Sequence, residues 1–382
     1  MSGSLIEWEL KKLWSLPMVP IFLVMCMGLN LLIVGVIQYE RREAADFVSY
    51  IVDVTDTIGG RMGPDFDAAL SALPESERKG TLINQTSGAE DLFDDFDSSA
   101  FGGGIIAWYG VNGKLEDILT QKYARFQAAV DTLAESDASL DMAAAGATKG
   151  LYDHLLQTLC QVLTMEGMLL AVTMALYACG SEKISRTHLA VYASATGRRI
   201  QLSKALASLL SSLGGYGLLC LVTVSVFAVL WRLGPIWHES VSTRFYYDFF
   251  GPFATWRPFS LAGYLAAKLA LGAALTAIFH VLAVASGLLT GDMYRGFMAI
   301  VLFSAVPVAL TSAAGNAGYW LLYALGMWFP FFQWLNGDIW FRDGGINFVV
   351  PYQETWTMAL WLVLGMGLVL LTLRRFMRKD VA

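Results

Sequence analysis

The chain has 382 residues, 56% of them apolar and only 15% charged, with a net charge of −6 and a mean hydropathy of +0.52. A soluble domain usually carries about a quarter of its residues charged, so this composition excludes an ordinary water-soluble fold. The expectation is an all-α integral membrane protein, and an acidic chain of this kind has no nucleic-acid partner.

A hydrocarbon core about 30 Å thick takes roughly 20 residues of helix at about 1.5 Å each. Six stretches qualify, at 18–37, 156–179, 205–230, 261–288, 297–314 and 356–373, rich in Leu, Val, Ala, Gly and Met without the alternation of a barrel strand. Ahead of the first span, SLIEWELKKLW (4–14) sets Ile6, Leu10, Leu13 and Trp14 at helical spacing, with Glu7, Lys11 and Lys12 elsewhere on the wheel. That pattern predicts a helix lying along the inner leaflet. The first span reads as an uncleaved anchor, because QYERREAADF after it offers no small-x-small cleavage site. Residues 1–38 therefore form the interfacial helix and first transmembrane span.

Residues 39–153 hold 21 Asp or Glu against 9 Lys or Arg, a local charge of −12, which leaves +6 for the rest of the chain. Short loops rich in Lys and Arg stay cytoplasmic while acidic segments translocate, so 39–153 is expected outside and both termini inside. This external domain reads as mainly helical. PDFDAALSAL opens with a Pro suited to a first helical turn, and 112–136 stripes Leu115, Ile118, Leu119, Tyr123, Phe126, Val130 and Leu133 along one face. Between these, 88–104 reads as an acidic loop and a glycine hinge. The domain holds none of the four cysteines, Cys26, Cys160, Cys179 and Cys220, so no disulfide framework or CxxC metal site is expected there. The lack of disulfides suits a bacterial plasma membrane.

Residues 154–382 supply the five further spans. Glu166 in the second and Lys268 in the fourth are charged groups inside apolar runs, which are expensive unless paired or wetted. They read as a buried pair stapling two helices, with an ion-coupling carboxylate as the alternative. Asn30 and His280 read as interhelical hydrogen bonds rather than ligands. Two aromatic-rich stretches, 231–260 and 315–355, read as belts at the membrane interface. Within the second, 317–335 is long enough to cross, but a crossing would carry the basic tail RRFMRK outside, so a re-entrant or interfacial segment is expected over 315–340.

No GxSxG, HExxH or phosphate loop is present, and Ser76 with Lys79 makes an SxxK match without the companion motifs. An enzyme is not expected. The loop SEKISRTHLAVYASATGRRIQLSK (181–204) carries five Lys or Arg against one Glu. Positive-inside anchoring accounts for the charge but not for the order: Glu182 at the end of a span, a short amphipathic helix through Leu189 and Tyr192, a break at Gly197, then Arg198, Arg199 and Lys204.

That order resembles the cytoplasmic coupling element of the type-2 ABC exporter permeases, in which an acidic residue closes one span, a short helix follows, and a small-Arg segment opens the next. The matching positions are Glu182, the helix Ser185–Tyr192, Gly197-Arg198-Arg199 and Lys204. EWELKKLWSLP and LRRFMRKDV are similar to that family's two ends, and a large insert between the first two spans is similar to its bacterial exporter subset. The resemblance covers the six-span frame, about two thirds of the chain. It implies a permease subunit that exports a peptide, lipid, drug or ion, paired with a second permease chain as a homodimer or related heterodimer. A separate ABC ATPase would dock under the coupling loop, with ATP and Mg on that subunit and no cofactor on this chain. Glu182, Ile184, Ser185, Arg186, Leu189, Tyr192, Arg198 and Arg199 are the implied contacts. The alternative is a membrane receptor or assembly scaffold whose extracellular helical domain binds a partner.

Overall fold

A computed structural model describes residues 3–193, 197, 200–247 and 251–378. Among them every regular element is a helix. The chain runs α1 (Gly3–Trp14), α2 (Met18–Glu40), α3 (Arg42–Ile58), α4 (Pro64–Ala72), α5 (Glu77–Thr86), α6 (Ser98–Tyr109), α7 (Lys114–Glu135), α8 (Thr148–Tyr152), α9 (Cys160–Ile184), α10 (His188–Ala193), α11 (Ile200–Leu230), α12 (Leu261–Thr290), α13 (Met293–Asn316), α14 (Trp320–Gly326), α15 (Pro330–Leu335) and α16 (Gln353–Arg378).

Six helices are long and apolar enough to cross a membrane: α2, a continuous stretch Ala145–Ile184 that ends in α9, α11, α12, α13 and α16. They give the chain the frame of a helical, multi-pass membrane protein. α9 and α12 form the middle of the bundle, packed against each other, with α11 on α9 and α16 on α12. Small residues permit the close approach: a Cβ on Gly167 would stand 2.5 Å from the Thr276 hydroxyl, and one on Gly272 would stand 2.2 Å from that of Tyr216. α13 lies at the rim, leaving Val301, Leu302, Val306 and Leu310 exposed.

The insert between the first two spans folds on its own core and on the loops of the other spans. Leu115, Leu119, Tyr123, Phe126, Val130 and Leu133 are buried along α7, while Ile118 of the expected stripe is exposed, one step off the buried face. The glycines read as a hinge lie inside α6. Gly102 is needed there because a Cβ would meet the Tyr123 ring at 2.2 Å. Asp97 caps α6, accepting from the N–H groups of Ser99 and Ala100 at 2.8 and 2.9 Å. The SxxK match is a cap of the same kind: Ser76 Oγ accepts from Lys79 N at 3.1 Å, and the Lys79 ammonium is spent on Ser71 O, Leu73 O and Glu75.

The two aromatic-rich stretches differ from the expected belts. Trp231, Tyr246, Phe253, Phe259, Trp340, Phe341 and Phe348 are all buried, because 231–260 and the loops around α14 and α15 pack on each other and on the insert. Trp256 donates its N–H groups to Phe341 O and Arg342 O, at 2.9 and 3.0 Å, and stacks edge-on to Phe126 of α7. Under this layer the buried Lys122 ammonium reaches Asp343 at 2.5 Å, Gly345 O at 2.8 Å and Phe348 O at 3.2 Å. Residues 317–335 fold as the short α14 and α15, of seven and six residues, neither long enough to cross as a helix.

Candidate functional site at the basic end

The helix of α9 does not stop at Gly180 but continues through Ser181, Glu182 and Lys183 to Ile184. It ends in a Schellman arrangement, with Arg186 N donating to Lys183 O at 3.2 Å and Thr187 N to Glu182 O at 2.9 Å. Arg186 occupies the left-handed position, φ +57°, where glycine is the usual residue. The Ser185 hydroxyl donates to Ser181 O at 3.0 Å and shares a hydrogen bond of 2.8 Å with the Thr187 hydroxyl. A separate short helix, α10, then begins at His188, so Glu182 roots the elbow rather than opening its helix.

Glu182 is buried, with 5% of its surface exposed. Its carboxylate is clamped between Lys204 of α11 and Lys12 of α1, the latter at 3.5 Å. The fully buried Lys204 also donates to Ala178 O and Ser181 Oγ, both at 3.3 Å. Glu9 of α1, itself buried, adds a second negative charge to the surroundings of Lys204. A buried ion is costly unless paired, and groups from three helices pair the charges here, although Glu182 Oε2 and Glu9 Oε1 are buried without a hydrogen-bond partner. It also holds α1 against α11, with Leu13 buried, while Trp8 and Trp14 stay exposed.

This geometry separates the expected contact residues into two sets. Glu182 faces inward and cannot also be a surface contact. Ile184 and Leu189 face outward, 65% and 56% exposed, with Lys183, Ser185 and Arg186 exposed beside them. Lys183 donates to Gly291 O at 2.7 Å, at the C-terminal cap of α12, and so ties the elbow to the next turn at the same end of the bundle. The Tyr192 side chain, Arg198 and Arg199 lie outside the described residues. Sequence reading missed Lys12 as a partner of Glu182. The only signal was a second lysine just ahead of the first span.

Within the bundle, Glu166 and Lys268 do not form the expected staple. Each has another partner. Asn30 Nδ2 of α2 donates to Glu166 Oε2 at 2.9 Å, and the Lys268 ammonium donates to Gly337 O at 2.6 Å beside the rings of Tyr264 and Trp340. The physical reason is rotational phase: the two residues sit on packed helices, but Glu166 looks toward α2 and Lys268 toward the loop before α16. His280 shares a hydrogen bond of 2.8 Å with Ser208 of α11, so it and Asn30 both bond between helices.

The fold and this end of the bundle thus define a multi-span helical membrane architecture that presents a braced, apolar-tipped elbow. A scan against protein-family models finds no match, and searches of curated proteins and of solved structures find none.

Proposed function

We propose that this chain is the permease subunit of an ATP-driven exporter of the ABC class, moving its substrate outward with work delivered by a separate ATPase. The observation that carries the reading is the elbow: two exposed apolar side chains, Ile184 at the end of α9 and Leu189 at the start of α10, beyond a helix root clamped by Lys12 and Lys204. Exposed apolar side chains ringed by charge mark a docking contact. A stiff root is what mechanical coupling requires, because force applied at Ile184 passes directly into α9, α11 and α1.

In this reading the basic end is cytoplasmic, the acidic insert is outside, ATP and Mg belong to the ATPase, and a second permease chain completes the pathway. The contact residues are Ile184, Ser185, Arg186 and Leu189. Glu182 becomes the internal brace. The test is ATP hydrolysis by the purified complex of permease and ATPase. Ile184→Asp with Leu189→Asp lowers permease-stimulated hydrolysis about tenfold, the equivalent of roughly 1.4 kcal/mol of lost contact. An ATPase that never associates with the wild type, or one whose rate ignores the double substitution, sinks the proposal.

A further inference from the structure

The Glu166 carboxyl lies in the apolar part of the bundle, 5% exposed, and among the described residues no ion pair involves it. Its only strong hydrogen-bond donor among the described residues is an amide, Asn30 Nδ2 to Oε2 at 2.9 Å, with the Cys26 thiol facing it as a weak S–H donor. The other oxygen of each side chain, Glu166 Oε1 and Asn30 Oδ1, is buried and has no hydrogen-bond partner. Asn30 itself is fully buried. A carboxylate offers only acceptors, so an ionised Glu166 leaves two buried acceptor oxygens with no better donor nearby than the weak S–H of Cys26.

Charge in hydrocarbon without a partner cation costs several kcal/mol, and an unmet buried acceptor adds to that cost. One added proton removes both penalties. It neutralises the side chain and converts Oε1 from an acceptor into an O–H donor, which supplies the hydrogen that this contact lacks. A metal ion is the poorer occupant. Sodium and calcium take about six oxygen ligands, whereas this contact provides two unpartnered oxygens, and no group of three acidic, His or Cys residues surrounds it among the described residues.

We propose that the Glu166–Asn30 contact is a proton-binding site: Glu166 is a carboxylic acid in the resting protein, and its proton is held where α2 meets α9. The titratable groups that face it are the Cys26 thiol of α2 and the Cys220 thiol of α11, both neutral in hydrocarbon, so no neighbouring charge favours the carboxylate. The site joins the first span to the middle of the bundle, and any motion that parts α2 from α9 or admits water between them releases the proton. The proposal stands on these residues alone and does not require that the chain be a permease.

Infrared difference spectroscopy of the full chain in lipid nanodiscs tests it. At neutral pH the wild type shows a carboxylic-acid carbonyl band that Glu166→Gln lacks and that Glu166→Asp retains at a shifted frequency. The glutamine is isosteric and donates to Asn30 in place of the acid, so this variant keeps the wild-type unfolding temperature. Should it not fold, the aspartate variant and the shift of the band in heavy water carry the same test. The band persists when sodium or potassium chloride is added in large excess. Two results overturn the proposal: no acid band that responds to either substitution, or an acid band that vanishes when sodium is added, which would make the site a cation site.

Discussion

The two polar ends of the bundle solve opposite problems. At the acidic end a large insert, α3 to α8, covers the loops of the spans, helps bury their aromatic residues and sends the Lys122 ammonium among three acceptors of the 343–348 loop. At the basic end the chain is short, its charges are used to brace α9, α11 and α1, and the side chains of Ile184 and Leu189 remain exposed. Exposed apolar groups on a rigid support are consistent with the docking role proposed for the elbow, and the acidic end, which buries most of its aromatic layer, still leaves Trp108 and Tyr319 exposed.

The most severe way to break this contrast is at the cap. Lys122→Ala removes an ammonium that holds Asp343 and two carbonyls, leaving a carboxylate that is nearly buried and unpaired. Breaking a buried pair from one side costs about 3–5 kcal/mol, and thermal unfolding of the detergent-solubilised chain should fall accordingly. A loss of under about 1 kcal/mol would mean that the cap is held by its aromatic contacts alone, since exposed pairs contribute no more than that. The matching test at the other end is Glu182→Gln, which removes the carboxylate bound to Lys204, leaves it only Ala178 O, the Ser181 hydroxyl and the more distant charge of Glu9, and costs about 2–4 kcal/mol. Adding Lys204→Met should restore part of that loss, because the double variant no longer buries an unpaired charge. Additive losses would show that the clamp is not a unit.

Much of this architecture is legible in one dimension. Apolar runs of span length, the stripe on α7 and the division of charge between 39–153 and the remainder all follow from short-range patterns. Partner choice is not, because it depends on how each helix is rotated about its axis. Glu166 and Lys268 look like mates in sequence, yet one faces Asn30 and the other Gly337. The aromatic residues of 231–260 read as a belt at the membrane interface because their cover, the insert and the 341–348 loop, is remote in sequence. Glu182 reads in sequence as a charge at the end of a span, and its burial is hidden there because Lys12 and Lys204 lie on other helices.

The acidic end also carries a pH dependence. Burial pushes the Glu239 carboxyl up to about 7, and the neighbouring Asp141, itself raised by burial, adds to the effect while Arg61 and the Ala143 N–H oppose it. A carboxyl raised on folding holds a proton that the unfolded chain has already released. Its favourable contribution is therefore complete below the unfolded value of 4.5 and declines as pH rises toward about 7. Glu239→Gln should flatten this slope, stabilising the chain by about 1–2 kcal/mol above neutrality once partial solvent screening is allowed for. An unchanged slope of unfolding temperature against pH would locate the titration elsewhere.

The smallest effect sharpens the contrast most, because it separates stability from docking at one residue. Arg186 ends α9 in the left-handed region at φ +57°, a conformation that costs a side-chain-bearing residue about 1–2 kcal/mol and glycine almost nothing. Arg186→Gly should therefore raise the unfolding free energy by about 0.5–1 kcal/mol, the gain from removing strain less the entropy that glycine adds to the unfolded chain. The Arg186 side chain is exposed beside Ile184, within the contact set of the proposed docking role. The same substitution should then reduce permease-stimulated ATP hydrolysis while the protein becomes more stable. If Arg186→Gly instead lowers stability, the guanidinium is holding the elbow together, and the exposed set shrinks to Ile184 and Leu189.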